Sequence, residues 1–241
     1  MICISKKYLM LLFMGIPFFL YAQQNSNLKI YESYDALVGL ENTGLFNGSE
    51  FKDLYVNTDK TYRYLDQFNF FKGDIVYKNQ LYPNVLLRYD LLEDELITKS
   101  DDNLGLFNVK LHAESVSEFV INSRHFIQIP DTNLDLKGNH FFEVGYEGAT
   151  YSMYEKHSKK KREKAVGSAL QYSFASYNYF LLHYNDTYYI IHSIKDLRKA
   201  IPKKEKEIRS YYKSYQALYK SNPAMFMSNI IKYLDGSTAT N

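Results

Sequence analysis

From Gly73 to His192 the chain breaks into short apolar and aromatic runs, each stopped after a few residues by turn-forming ones. The runs are Asp74–Tyr77, Leu81–Tyr89, Leu96–Lys99, Leu104–Leu111, Glu118–Asn122, His125–Ile129, His140–Tyr146, Thr150–Lys156, Tyr177–Tyr184 and Tyr188–His192. Segments of this length, rich in Val, Ile, Tyr and Phe and bounded by Gly, Asn or Asp, read as strands. Nothing between them has the length and period of a helix, so the strand–helix alternation of a parallel sheet is excluded. The expected fold is mainly β (α+β): an antiparallel sheet, curled or closed into a barrel or sandwich, with C-terminal helices packed on it. Lys78-Asn79-Gln80 predicts the first hairpin turn, and Pro83 restricts where the following strand can pair.

The pattern changes at both ends. Ser193 is placed to cap a helix through Ala200, and Pro202 interrupts it. Lys203–Lys220 then puts Ile208, Tyr212, Tyr215 and Tyr219 on one face at the helical period. Asn222-Pro223 breaks the chain before a last helix, Ala224–Leu234. Residues 23–72 are irregular, with turn signals at Asn42-Thr43-Gly44 and Asn47-Gly48-Ser49 and short pieces near Tyr31–Leu40 and Glu50–Val56. The helices of 193–235 belong to the same domain as the strands of 73–192.

Residues 1–22 have the layout of a secretory signal peptide: Lys6 and Lys7, an apolar run from Tyr8 to Leu20, and a small residue, Ala22, at the cut. The apolar run is about 13 residues, too short to cross a bilayer as a helix. Cleavage removes Cys3, the only cysteine, so the exported chain has no disulfide and must be stable through its core alone. It also removes Lys6 and Lys7 from the 29 basic residues, leaving 27 against 27 acidic ones. A neutral exported protein has no global field to attract nucleic acid, and the expectation is no nucleic-acid partner and no transmembrane anchor.

Chemical motifs are absent from the chain. The six histidines form no metal-ligand spacing, although His183 and His192 flank a turn predicted at Asn185-Asp186 and are the best pair available. No G-x-S-x-G elbow is present, and no cysteine remains for thiol chemistry. Asp90, Glu93, Asp94 and Glu95 form a carboxylate cluster that reads as a solvated turn between strands; acid–base catalysis would need two of them to face each other across a cleft. His157–Lys164 is the strongest charge block and reads as a solvated hairpin loop, with an acidic partner, phospholipid headgroups or an anionic glycan as its possible contacts. No metal and no cofactor is expected.

Certain stretches resemble a known group. Asn42–Gly48, Gly73–Tyr77, Gln80–Asp90, the Tyr188–Ser193 run and Lys195-Asp196-Leu197, with Tyr21-Ala22-Gln23 closing the signal, are similar to uncharacterised exported proteins of the Bacteroidota. The resemblance spans residues 45–235 and implies a β-rich fold in the periplasm or on the inner face of the outer membrane. That family has no assigned activity, so no functional residue carries over from it.

With 24 Tyr, 16 Phe and no Trp, the chain is rich in side chains that offer a large apolar face and a hydroxyl. Together with the missing catalytic motifs, this favours a non-catalytic binding or interaction module for an envelope protein or glycan. Candidate ligand-binding residues are Tyr82, Tyr89, Tyr177, Tyr179 and Tyr188. The alternatives are a hydrolase of envelope polymers using the Asp90–Glu95 carboxylates, and a carrier enclosing an apolar ligand.

Overall fold

The computed structural model describes residues 43–55, 61–99, 108–129, 134 and 136–238. The signal segment, the Tyr31–Leu40 piece and the first half of the Leu104–Leu111 run lie outside them.

Eleven strands form one antiparallel sheet: β1 (Ser49–Glu50), β2 (Phe71–Tyr77), β3 (Gln80–Asp90), β4 (Glu95–Lys99), β5 (Asn108–Lys110), β6 (Val116–Ile121), β7 (Arg124–Gln128), β8 (Phe141–Glu147), β9 (Tyr151–Lys156), β12 (Tyr179–Tyr184) and β13 (Thr187–Ile191). Their order is β1-β5-β4-β3-β2-β6-β7-β8-β9-β12-β13. Two further strands, β10 (Lys159–Val166) and β11 (Ala169–Ser176), pair only with each other and leave the sheet between β9 and β12. The fold is the expected mainly antiparallel one, and the large sheet is not closed into a barrel.

Local chemistry sets the hairpins. Lys78-Asn79, Asn122-Ser123 and Asn185-Asp186 all have φ between 51° and 62°. Two successive left-handed residues between paired strands are what a type I′ turn requires, and asparagine tolerates that region. Pro83 sits where the β2–β3 register slips between Gly73/Val85 and Ile75/Tyr82. The missing proline N–H falls at the bulge, and Asn84 N donates to Asp74 Oδ1 at 2.9 Å instead.

The sheet curls. β3 and β8 are four strands apart in order, about 19 Å in a flat sheet. Yet the Tyr89 ring of β3 lies 6.1 Å from Phe141 of β8, and 5.4 and 5.5 Å from Phe119 and Phe126 on the strands between. These rings, with Ile75, Tyr77, Val85 and Leu87, fill the concave side as one buried cluster. At the open seam, Lys159 N donates to Leu91 O at 3.0 Å.

Helices cover the other end of the sheet. They are α1 (Ile194–Ala200), α2 (Glu205–Ser214), α3 (Gln216–Ser221) and α4 (Pro223–Thr238). Ser193 caps α1 as expected: its hydroxyl accepts from Asp196 N, and Asp196 Oδ2 accepts from His192 N at 3.2 Å. Asn222 Oδ1 accepts from Met225 N at 2.9 Å and starts α4. Phe226, Ile230, Ile231 and Leu234 of α4 pack with Leu197, Ile201 and Ile208 on Met153, Leu182 and Ile191 of the sheet. Asp235 ties the far end by accepting from Tyr146 Oη and from the backbone of Ala149 and Thr150.

The single helix expected over Lys203–Lys220 is two, broken at Tyr215 (φ −119°). Ile208 is buried as predicted, but Tyr215 is exposed and Tyr211 packs on the cluster instead. Tyr212 and Tyr219 pack on the cluster as expected, on either side of the break. Among the described residues, no helix is long and apolar enough to cross a membrane.

Candidate functional site

The curl carries five separate segments to one open cleft of about 590 Å³. They are the β3–β4 turn at 91–94, the segment 136–138 ahead of β8, the β9–β10 junction, Tyr177 and Tyr179 at the start of β12, and Ile190 and His192 at the end of β13.

The floor is a buried ion pair. Lys156 Nζ lies 2.6 Å from Asp94 Oδ1 and donates to Phe141 O at 2.9 Å. Tyr89 Oη donates to the same Asp94 oxygen, and His140 N donates to Oδ2 at 2.9 Å. Both oxygens of Asp94 are engaged. Burial lowers the Lys156 ammonium below its usual range against the pull of Asp94, and burial together with the Asp94 charge raises the Tyr89 phenol. Gly138 makes room for the turn: its φ is +90°, and a Cβ there would come within 2.6 Å of Asp94 Oδ2.

The wall is aromatic. Ring centroids of Tyr177 and Tyr179 are 6.5 Å apart, and His192 lies 5.6 Å from Tyr179 and 6.2 Å from Tyr177. Lys160 Nζ sits 3.5 Å from the Tyr177 centroid, a cation over the ring face. Burial first, then the charge of Asp94, pushes the Tyr179 phenol up to about 12, so it stays a neutral hydrogen-bonding group. Lys137 and Lys159 line the same cleft, as does Glu93.

The five predicted tyrosines divide. Tyr177 and Tyr179 converge on the cleft. Tyr82 and Tyr89 are buried in the concave core and present no face to a ligand, which corrects their reading as a binding platform. Val85, Leu87 and Tyr89 alternate on the strand's inward side, and the bulge at Pro83 brings Tyr82 into the same cluster. Tyr188 shares the sheet face of Tyr179 but stacks on its cross-strand partner His183 at 4.5 Å, outside the cleft. That register also separates His183 from His192, so the two histidines do not face each other across the turn.

The carboxylates of 90–95 are not a solvated tip. Asp90 is fully buried and paired with Arg63, Asp94 is held by Lys156, Glu95 accepts from Lys110 at 3.0 Å, and only Glu93 is exposed. Burial raises the Asp90 carboxyl even against Arg63. Asp90, Asp94 and Glu95 each answer to a different cation.

A second polar cluster lies on β7–β9. Glu143, Glu155 and His157 bring ligand-type atoms within 4.8 Å of one another. Arg124 Nη2 is 2.7 Å from Glu143 Oε2 and 2.9 Å from His157 Nε2, so a guanidinium already stands where a cation would sit. Asn178 Nδ2 bridges Glu155 and His157 at 3.0 and 3.1 Å. Burial opposes ionisation of Glu143, but the hydrogen bonds from His157 and Arg124 outweigh it and hold the carboxyl at about 2.

Sequence reading missed Lys156, Gly138 and His192 as parts of one site, because their contacts are long-range. It also read His157–Lys164 as a loop, whereas Lys159–Val166 is a strand. That strand carries charged side chains on both faces and has no apolar period to display. The available signal was symmetry: two eight-residue segments on either side of Gly167-Ser168. No protein-family model matches the chain, and no curated protein or solved structure shows significant similarity to it.

Proposed function

We propose that the protein is a non-catalytic binding module of the cell envelope, and that its cleft takes an acidic sugar. The observation that carries this reading is the convergence of Tyr177, Tyr179 and His192 on the open cleft with Lys137, Lys159 and Lys160 on its walls. Apolar C–H faces of a sugar ring pack on aromatic faces, while hydroxyls and carboxylates seek the cations and the phenols. The acid and base at the floor, Asp94 and Lys156, neutralise each other, which leaves the cleft net positive. An exported location, in the periplasm or on the inner face of the outer membrane, supplies acidic polymers as ligands.

The test is titration of the purified chain with uronate-containing and neutral oligosaccharides, read by tyrosine fluorescence and calorimetry. Saturable binding of the acidic series, lost at least tenfold in Tyr177→Ala and in Lys160→Gln, is expected. Equal response to neutral and acidic sugars, or binding unaffected by Tyr177→Ala, overturns the assignment.

A further inference from the structure

The β10–β11 ribbon leaves the sheet and pairs with nothing else. Its residues from Lys160 to Ser168 are exposed. Cross-strand register sorts them onto two faces. One face carries Lys161, Phe174 and Tyr172 and rests on the body, where Tyr55 meets Tyr172 at 5.1 Å and Phe174 at 6.1 Å. The other carries Lys160, Arg162 and Lys164 opposite the small or uncharged Ala175, Ser173 and Gln171. Over its length the ribbon has five cations against the single carboxylate of Glu163. Lys161 is the one that Glu163 engages, at 2.8 Å. Among the described residues, Arg162 and Lys164 pair with no carboxylate.

The distal end is apolar on both faces. Val166 lies on the Lys164 face and is 44% exposed; Leu170 lies on the opposite face and is 54% exposed. Gly167 closes the turn at φ +63°, with open space around it. Lys164 stands two residues behind Val166, about 7 Å at strand rise, and Arg162 about 13 Å. An apolar tip with cations set back by that distance matches the spacing between the acyl boundary and the phosphate headgroups of a membrane. A soluble polyanion would need the cations but gives no reason for apolar side chains on both faces of the tip.

We propose that the β10–β11 ribbon docks the protein end-on onto a membrane surface rich in anionic phospholipid, with Val166 and Leu170 entering the interface and Arg162 and Lys164 meeting the phosphates. The site is separate from the cleft, and neither Arg162, Lys164, Val166 nor Leu170 lines it.

Co-sedimentation with vesicles of phosphatidylcholine alone and of phosphatidylcholine with a quarter phosphatidylglycerol tests this. The native chain is expected on the anionic vesicles and in the supernatant with the neutral ones. Arg162→Gln with Lys164→Gln removes two surface cations and lowers anionic partitioning roughly 25-fold. Val166→Ser with Leu170→Ser keeps the charge and lowers it about tenfold. Thermal midpoints of both double variants stay at the native value, since these side chains contribute to no core. Absence of native binding to anionic vesicles overturns the proposal. So does undiminished binding of the Val166→Ser, Leu170→Ser variant, since the apolar tip would then have no part in the contact. Oligosaccharide titration of the same variants remains unchanged if the cleft reading holds, so the two proposals fail separately.

Discussion

Lys156 of β9 holds Asp94 of the β3–β4 turn at 2.6 Å beneath the cleft, and both side chains are more than nine-tenths buried. The pair spans the seam left by the curled sheet. Its value is conditional: removing one partner leaves a buried charge unmatched, at about 3–5 kcal/mol. Asp94→Asn and Lys156→Met are each expected to lose that much in denaturant unfolding. A loss below about 1 kcal/mol in either would mean the seam is wet and the pair solvated.

Two glycines with positive φ separate backbone strain from crowding. Gly167→Ala at the ribbon tip meets open space and should cost about 1 kcal/mol from φ alone. Gly138→Ala adds a methyl 2.6 Å from Asp94 Oδ2 and should cost clearly more, roughly 2–4 kcal/mol. Equal thermal shifts for the two would refute the close packing of 138 against the turn.

Arg63 and Arg88 are both buried, and their replacement should differ in sign. Arg63 neutralises the buried Asp90, so Arg63→Met strands a carboxylate and destabilises by about 3–5 kcal/mol. Arg88 has no carboxylate among the described residues. It lies 4.1 Å from the Tyr64 ring centroid and 4.4 Å from that of Phe70, and burial lowers its pKa. A methionine keeps the shape and sheds the desolvation cost, so Arg88→Met is expected within about 1 kcal/mol of native or above it. Urea unfolding of the two variants side by side decides the point.

Acid should loosen the β7–β9 cluster. Glu143 is held at about 2 when folded, against 4.5 as the ordinary value. A depressed carboxyl contributes stability that is fully present above the ordinary value and is lost as pH falls through the folded one. The loss therefore falls between about pH 4.5 and 2, and is about 1–2 kcal/mol after solvent screening. Glu155 works the other way, since burial raises it and its protonation on acidification relieves a cost. Glu143→Gln should flatten the native decline in thermal midpoint over that range; an unchanged decline would assign acid sensitivity to other carboxylates.

Strands and turns were legible because their causes are local. Asn185-Asp186 turns the chain whatever lies beyond it, and Pro83 marks a bulge because proline cannot donate to a ladder anywhere. Ser193 caps α1 for the same reason. Tyr82 and Tyr89 show the limit: their residue type suits a binding surface and a core equally, and burial separated the two. The turn at 90–95 shows it again. Four acids in six residues read as a wet loop until Arg63, Lys156 and Lys110 arrive from distant parts of the chain.

The chain by itself determined most strands of the large antiparallel sheet, most hairpin turns, the capped helices and the aromatic wealth of the interior, since propensity, turn chemistry and caps act within a few residues. Tertiary structure alone decided that the sheet curls without closing, which acids are buried against which cations, and that Tyr177, Tyr179 and His192 share a cleft. It also set the basic segment apart as a free ribbon. Those outcomes depend on contacts between residues far apart in the chain, where side-chain volume and charge pairing, and not local preference, select the arrangement.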